Sequence, residues 1–221
     1  MELRSLSRKF LILLLPVFGF AQIDKRGDFQ IWQRNFLSKH LNDKWTLQFY
    51  NEWRFGDDAS KFFYVNLQAQ AKFRICSWLT TTPGYRQVLR RVPVNSNHWD
   101  TEYSPMWDAT ATYRFREWQL QDRNRVQYRI IQSNPYPWVY RNRLRLVAPP
   151  FLEDPKLALY ADNEIFWQQA DGIDDDRATI GLMTLWTSCF GGELFYMARF
   201  VKAVPSWKHY NILGISAIFS F

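Results

Sequence analysis

Residues 44–56 have the sequence KWTLQFYNEWRFG, in which apolar and polar side chains alternate almost throughout. One set of alternating positions is apolar apart from a single asparagine, and it comprises Trp45, Leu47, Phe49, Trp53 and Phe55. The other set is polar and comprises Thr46, Gln48, Tyr50, Glu52 and Arg54. Successive side chains of a β-strand point to opposite faces of its sheet. The stretch therefore predicts a strand with one apolar face and one polar face.

Ten further segments repeat this alternation, some of them less strictly, and none shows sustained helical spacing. They are residues 29–38, 63–75, 79–90, 102–115, 118–130, 138–146, 157–167, 178–186, 192–202 and 211–221. Strands of globular proteins usually have about five or six residues. A tilted strand that crosses a bilayer needs about nine to eleven. The lengths therefore predict an all-β fold, a transmembrane antiparallel β-barrel.

The connections between these segments support a barrel in a membrane. The short connections are 41–44, 76–77, 116–117 and 187–191. The longer, more polar ones are 56–60, 91–100, 131–137 and 168–176. Transmembrane barrels have short turns on one side of the membrane and longer loops on the other. Three short turns lead into Trp45, Trp78 and Trp118, and indole rings favour the membrane–water boundary. The alternative is a soluble β-sandwich with these tryptophans in its core.

The first 21 residues have the pattern of a cleaved signal peptide. Arg4, Arg8 and Lys9 precede an apolar stretch at 10–20, and the small residue Ala21 follows it. The alternative is a short buried helix. We expect residues 1–21 to be removed on export and residues 22–221 to form a single barrel domain.

The last segment, residues 211–221, is apolar at alternate positions and ends in Phe221. It resembles the C-terminal signature that the barrel-assembly machinery of bacterial outer membranes recognises. The net charge of +7 is compatible with nucleic acid, lipid headgroups or anionic solutes as partners. Because an exported protein rarely meets nucleic acid, we expect outer-membrane lipids and small anionic solutes, and no nucleic acid.

Four short motifs carry a resemblance to a known family: DFQIW at 28–32, NEWRF at 51–55, YRNRL at 140–144 and NILGI at 211–215. The chain from residue 22 onward resembles the DUF2490 family of outer-membrane barrels of unknown function. The resemblance implies the barrel fold. It implies no catalytic residue, because the chemistry of the family is unassigned.

The number of segments conflicts with a rule for bacterial barrels. We count eleven, whereas bacterial single-chain barrels have even numbers of strands. The turn lengths also make the first and the last strand run in the same direction, toward the periplasm. We therefore expect twelve strands, with ten as the alternative.

The polar faces of the strands are expected to line the barrel interior. The candidate residues are Arg54, Arg74, Arg114, Arg123, Arg125, Arg129, Arg141, Arg143, Arg145, Glu52, Glu102, Asp108, Asp162 and Glu164, with Arg86 as a further cation. These charges can pair across the interior and close it, which predicts a structural barrel. Alternatively, the surplus of guanidinium groups lines a narrow pore or pocket that favours anions.

An outer-membrane enzyme acting on lipids, as a hydrolase or an acyltransferase, is the alternative function. Ser96, His98 and Asp100 are the weak catalytic candidates, because only the stretch 95–100 brings serine, histidine and aspartate together. It falls in an expected external loop, and catalytic triads are defined by geometry rather than by adjacency. A solvated polar loop is the competing interpretation, and we do not expect an enzyme.

The acidic run 171–176 suggests calcium, since carboxylates suit hard cations. It lacks the ligand spacing of a calcium loop, so we expect a solvated external loop, with no metal and no cofactor. Cys76 and Cys189 fall in short turns far apart in the sequence, and two cysteines define no disulfide framework.

Overall fold

The computed structural model describes residues 27–91, 97–131, 137–169, 171–203 and 206–221, and these form an all-β structure. The expected signal peptide at 1–21 lies outside the described residues. The strands are β1 (Phe29–His40), β2 (Trp45–Gly56), β3 (Lys61–Arg74), β4 (Leu79–Arg90), β5 (Asp100–Phe115), β6 (Trp118–Tyr128), β7 (Ile130–Ile131), β8 (Trp138–Val147), β9 (Leu152–Glu153), β10 (Lys156–Gln168), β11 (Gly172–Leu185), β12 (Phe190–Ala203) and β13 (Ser206–Ser220).

Eleven of these strands close into a barrel, and the short β7 and β9 lie outside the ring. The order around the ring is β1-β2-β3-β4-β5-β6-β8-β10-β11-β12-β13. Neighbouring strands are antiparallel, except that β13 pairs with β1 in parallel, from Phe29 opposite Asn211 to Ser38 opposite Ser220. The backbone N–H of Phe221 also donates to the carbonyl of Ser38 at 3.0 Å. The ring of eleven strands is therefore closed.

The expected strand number of twelve, or ten, is wrong: in the part of the chain that the structure describes, the barrel has eleven strands. An even number is required only if every neighbouring pair, including the closing pair, is antiparallel. Here the first and the last strand run in the same direction, as the turn lengths indicate, and they pair in parallel. An odd number follows directly from this geometry.

The barrel has an apolar outer face and a polar inner face. On β2, Trp45, Leu47 and Phe49 are exposed on the outside, whereas Glu52 and Arg54 are buried inside. A closed barrel satisfies the backbone hydrogen bonds of its strands without water. An apolar outside and a polar inside are the distribution that transmembrane β-barrels have.

Aromatic side chains project outward near both ends of the barrel. Trp45, Trp78 and Trp118 are all exposed beside their turns, so the alternative of three core tryptophans in a sandwich is wrong. Trp138 and Trp167 are exposed near the opposite end. Aromatic girdles at two levels are typical of barrels that cross a membrane.

The two ends of the barrel differ less in connection length than we expected. We call the end that carries connections 41–44, 75–78, 116–117, 148–155 and 186–189 the turn end, and the opposite end the loop end. Connection 148–155 is one of the longer ones, although it lies at the turn end. At the loop end, β10 and β11 are separated only by residues 169–171. The expected long loop 168–176 is therefore wrong, because its second half belongs to strand β11. Among the described residues, none forms a helix of the length and hydropathy that a membrane crossing would take.

Part of the interior is packed with apolar side chains. Trp32, Tyr160, Phe195, Met197 and Ile212 form a buried cluster beside β1 and β10–β13. The cluster depends on Gly214, which has no side chain. A Cβ at this position would lie 1.9 Å from Cζ of Phe195. A glycine is therefore required where this ring crosses β13.

We expect Gly214→Ala to lower the free energy of unfolding by about 1–3 kcal/mol, the usual cost of overpacking a core. Urea unfolding of the refolded barrel in lipid vesicles measures this loss. Adding Phe195→Leu to the variant should recover part of it, since the smaller side chain leaves room for the new methyl group. Wild-type stability of Gly214→Ala alone would contradict the packing described above.

Candidate lumenal site

The candidate site is the interior of the barrel, which encloses a cavity of about 880 Å³ lined by all eleven barrel strands. Its walls are charged, and cations outnumber acids. The cationic lining residues are Arg34, Arg54, Lys72, Arg86, Arg90, Arg123, Arg125, Arg129, Arg141, Arg143, Arg145, Arg177 and Arg199. The acidic ones are Glu52, Asp108, Glu164, Asp174, Asp175 and Glu193. Because a fixed surplus of positive charge attracts anions, the cavity is chemically suited to anionic solutes.

Glu52 organises the first of several ion-pair groups. Arg34 Nε donates to Glu52 Oε2 at 2.9 Å, and the Tyr50 hydroxyl donates to the same oxygen at 2.6 Å. Arg54 Nη2 lies 2.5 Å from Glu52 Oε1. Alternation places Tyr50, Glu52 and Arg54 on the inner face of β2, and β1 supplies Arg34 opposite Glu52. One buried carboxylate is thereby matched to two guanidinium groups.

Glu102 is the centre of a second group near the loop end, and its side chain is only 1% exposed. Arg129 Nη2 donates to it at 2.7 Å, and the Ser104 hydroxyl donates at 2.9 Å. Arg86 Nη2 lies 3.7 Å away and Arg90 Nη1 lies 4.0 Å away. A carboxylate in this position is fully engaged by the protein itself.

Two more groups lie on adjacent strands along one wall. Arg125 holds Asp108 with two hydrogen bonds, of 2.6 and 2.7 Å, in the bidentate arrangement that gives strong, oriented pairs. Glu164 accepts from Arg141 at 2.8 Å and also from Arg123.

A further ion pair joins strands that are not neighbours. Arg145 of β8 donates to Glu193 of β12, and the strands β10 and β11 lie between them.

Asp175 corrects the expectation of a solvated acidic loop. It is buried on the inner face of β11 and receives hydrogen bonds from Arg177 and Arg199 at distances down to 2.6 Å. The next residue, Asp176, faces outward and accepts from Asn163 at 2.7 Å. These acids are bound by protein donors. Across the described ranges, no group of three or more His, Cys, Asp or Glu is arranged to hold a metal ion.

Aromatic rings support several of the guanidinium groups. Arg54 lies over the ring of Trp32 at 3.5 Å from its centroid, and Arg145 lies over Tyr160 at 3.8 Å. Arg141 and Arg177 both lie over Phe166, at 4.1 and 4.2 Å. Stacking of this kind fixes the orientation of an arginine while its edge remains free to pair.

The structure places most of the predicted interior residues around this cavity. Those that line it are Glu52, Arg54, Asp108, Arg123, Arg125, Arg129, Arg141, Arg143, Arg145 and Glu164. Glu102 lies buried against them. Asp162 is on the inner face of β10 but does not line the cavity. Arg74 and Arg114 have inward-facing parity, yet they lie at the turn-end rim and are exposed.

Several cavity residues were not predicted: Arg34, Lys72, Arg90, Arg177, Arg199, Asp175 and Glu193. The strands β1, β11 and β12 carry apolar side chains on both faces, so sequence alternation gave no clear inner face there. Lys72 and Arg90 did follow the alternation of their strands, and that signal could have found them.

Neither His98 nor Asp100, the two catalytic candidates that the structure describes, lines the cavity. Ser96 lies outside the described residues. Nε2 of His98 lies 3.2 Å from Oδ1 of Asp100 near the loop end, and the two side chains are 81% and 42% exposed. Cys76 and Cys189 are free thiols in turns at the turn end.

Two solved structures share this architecture. They are KdgM porin and KdgM porin in complex with disordered oligogalacturonate, each with a TM-score of 0.50 and 88% of this chain and 98% of theirs covered. Their sequence identities to this chain are 13% and 12%. By its fold, therefore, the chain is a porin-like β-barrel. Residues 29–210 match the family described as "Protein of unknown function (DUF2490)", and the chain belongs to that family. No curated protein matches the chain.

Proposed function

We propose that this protein is an outer-membrane pore of the porin type whose interior favours small anionic solutes. The observation that carries the proposal is the surplus of cations over acids around the interior cavity. Rings of fixed charge set the selectivity of narrow pores, and arginine and lysine favour anions.

The outer-membrane location is supported by three features. The outward face is apolar with aromatic side chains toward both ends. Residues 1–21 have the pattern of a signal peptide, and the strand β13 has apolar side chains at alternate positions. Outer-membrane lipids would then cover the outer face, and the barrel-assembly machinery would insert the chain.

Anionic cargo is supported by chemistry and by a structural neighbour. Guanidinium groups bind carboxylates and phosphates with paired hydrogen bonds. The KdgM porin, which shares the fold, has been solved with oligogalacturonate, an anionic carbohydrate. The lining of the present cavity has the charge that such a class of solute requires.

A closed, structural barrel is the second candidate. It is favoured by the contact between Arg145 and Glu193, which bridges the interior, and by the apolar cluster that fills one side. We do not propose a lipid-modifying enzyme, because His98 and Asp100 are exposed to solvent rather than held in an enclosed site.

Conductance of the refolded protein in a planar bilayer distinguishes the two candidates. We expect discrete steps and, across a potassium chloride gradient, a reversal potential displaced toward that of chloride. Cation preference would contradict the anion-favouring interior. The absence of steps from a correctly folded barrel would favour the closed, structural one.

A further inference from the structure

The cations of the cavity differ in whether the protein neutralises them. Most of the arginines have a carboxylate oxygen within 4.0 Å. The carboxylates belong to Glu52, Glu102, Asp108, Glu164, Asp175 and Glu193. Within the described residues, Lys72 and Arg143 make neither an ion pair nor a side-chain hydrogen bond. These two side chains are therefore the lining cations whose charge no carboxylate of the described residues pairs.

Lys72 and Arg143 belong to one cluster. Lys72 is close enough to Arg143 and Arg123 to be repelled by both and close enough to Asp108 to be attracted by it, and Arg143 also repels Arg123. Arg143 lies directly opposite Arg123 in the register of β8 and β6. Arg123 has only a share of Glu164, which Arg141 also contacts. We call Lys72, Arg123 and Arg143 the cationic cluster.

The cationic cluster contains hydrogen-bond donors that have no partner among the described residues. The Nε atoms of Arg123 and Arg143, like those of several other arginines, are buried and have no partner among the described residues. Holding three like charges together in a confined space is unfavourable, and a bound anion would offset that repulsion. A carboxylate or a phosphate could accept hydrogen bonds from more than one of these side chains at once.

Apart from the ion pair of Asp108 with Arg125, the wall around the cluster is polar and uncharged. Alternation on strands β3 to β6 brings short hydroxyl and amide side chains to the cavity at the same level, and these are Gln70, Thr80, Thr82, Thr110, Thr112 and Gln121. Thr110 lies opposite Arg123 in register, and Thr80 lies opposite Thr110. Hydroxyl and amide groups can both donate and accept, so they suit ligand hydroxyls next to the anionic group.

We propose that the cationic cluster is a binding site for a hydroxylated anion, in which a carboxylate or a phosphate contacts Lys72, Arg123 and Arg143 while neighbouring hydroxyls contact the threonine and glutamine wall. The site would take a sugar acid or a sugar phosphate in preference to a simple anion. This site specifies which anions the proposed pore would bind. The inference rests on the proposed pore function, because the pore is the route by which a solute would reach the site.

Block of the single-channel current tests the site. Glucuronate, glucose 6-phosphate, acetate and glucose are added to wild type and to the double variant Lys72→Gln, Arg143→Gln. We expect at least one of the two hydroxylated anions to block wild type, and which of them blocks identifies the carboxylate or the phosphate. Glucose should not block, and acetate should block at least tenfold more weakly. The double variant should raise the blocking constant at least tenfold.

The matched control is Arg74→Gln, because Arg74 has the same parity on the same strand as Lys72 but lies at the rim outside the cavity. It should keep the wild-type blocking constant. Equal block of wild type and the double variant would place the ligand elsewhere and overturn the inference, while leaving an anion-selective pore intact. Block by acetate as strong as by glucuronate would overturn the role of the polar wall.

A barrel that does not conduct would count against the pore and not against the site. In that case, titration calorimetry of the folded barrel with glucuronate and glucose 6-phosphate replaces the current. Binding that the double variant loses would support the site. The absence of binding to wild type would overturn it.

Discussion

Replacing Asp175 with asparagine is expected to lower the free energy of unfolding by about 3 kcal/mol. The carboxylate receives hydrogen bonds from both Arg177 and Arg199. The amide would leave Arg199 without a carboxylate partner and Arg177 with only Glu164, whose Oε2 lies 3.8 Å from Nη1 of Arg177. Removing one partner of a buried ion pair costs about 3–5 kcal/mol. We expect the lower end of that range, because Asp175 lines the cavity and water there screens the remaining charges.

Asp176→Asn is the matched control, since it makes the same chemical change one residue later on the opposite face. Asp176 faces outward and contacts Asn163, so we expect a change of less than about 1 kcal/mol, as for a single hydrogen bond. Both variants are compared by urea unfolding in the same lipid vesicles. Equal losses in the two variants would mean that Asp175 is not the centre of a buried ion-pair group.

Sequence alternation was sufficient to locate the interior where it was strict. On β2, β5, β6 and β8, apolar side chains occupy one face and polar side chains the other, and the structure has Glu52, Asp108 and Arg125 inside. A strand has only two faces. Once its apolar face is known, the parity of every other residue is determined.

Alternation was insufficient where the interior is itself apolar. Trp32, Phe195 and Ile212 point inward, so β1, β12 and β13 have apolar side chains on both faces. For the same reason, sequence parity did not indicate Arg34 or Glu193. Predicting them requires knowing which strands lie next to each other, and pairing between distant strands is not encoded in local periodicity.

The acidic run 171–176 was misjudged for a related reason. Four aspartates in six residues are typical of a solvated loop, yet β11 begins at Gly172. The charge of Asp175 is tolerated inside because β12 places Arg199 beside it. Composition alone cannot reveal such a partner, which lies 24 residues away.

The connection lengths and the rule of even strand numbers lead to different expectations for the barrel. The turn lengths made the first and last strands run in the same direction, and their parallel pairing confirms this. The even number expected of bacterial barrels presupposes an antiparallel closure. With a parallel closing pair, the eleven segments that alternate in the sequence are sufficient to close the ring.

The interior consequently has two different halves. Strands β3 to β8 contribute a polar wall with surplus positive charge. Strands β1 and β10–β13 contribute aromatic side chains together with arginines that are paired with carboxylates. The first half has the chemistry to contact a solute. The second half narrows the cavity and positions arginines, and Trp32 is its central residue.

Trp32→Ala is expected to lower the free energy of unfolding by about 3–5 kcal/mol, the usual cost of truncating a buried tryptophan. The ring is fully buried, its Nε1–H donates to Gln30 at 2.9 Å, and Arg54 stacks on its face. Because the ring also occupies interior volume, a conducting barrel should show larger current steps once it is removed. Urea unfolding and single-channel recording measure the two effects.

Trp53→Ala is the control, since it removes the same side chain from the outward face of the neighbouring strand. It should cost less stability and leave the size of the current steps unchanged, because it removes no volume from the interior. Unchanged steps in Trp32→Ala, with the expected loss of stability, would mean that ions do not pass beside the aromatic half. Conduction would then be confined to the wall that carries Lys72 and Arg143.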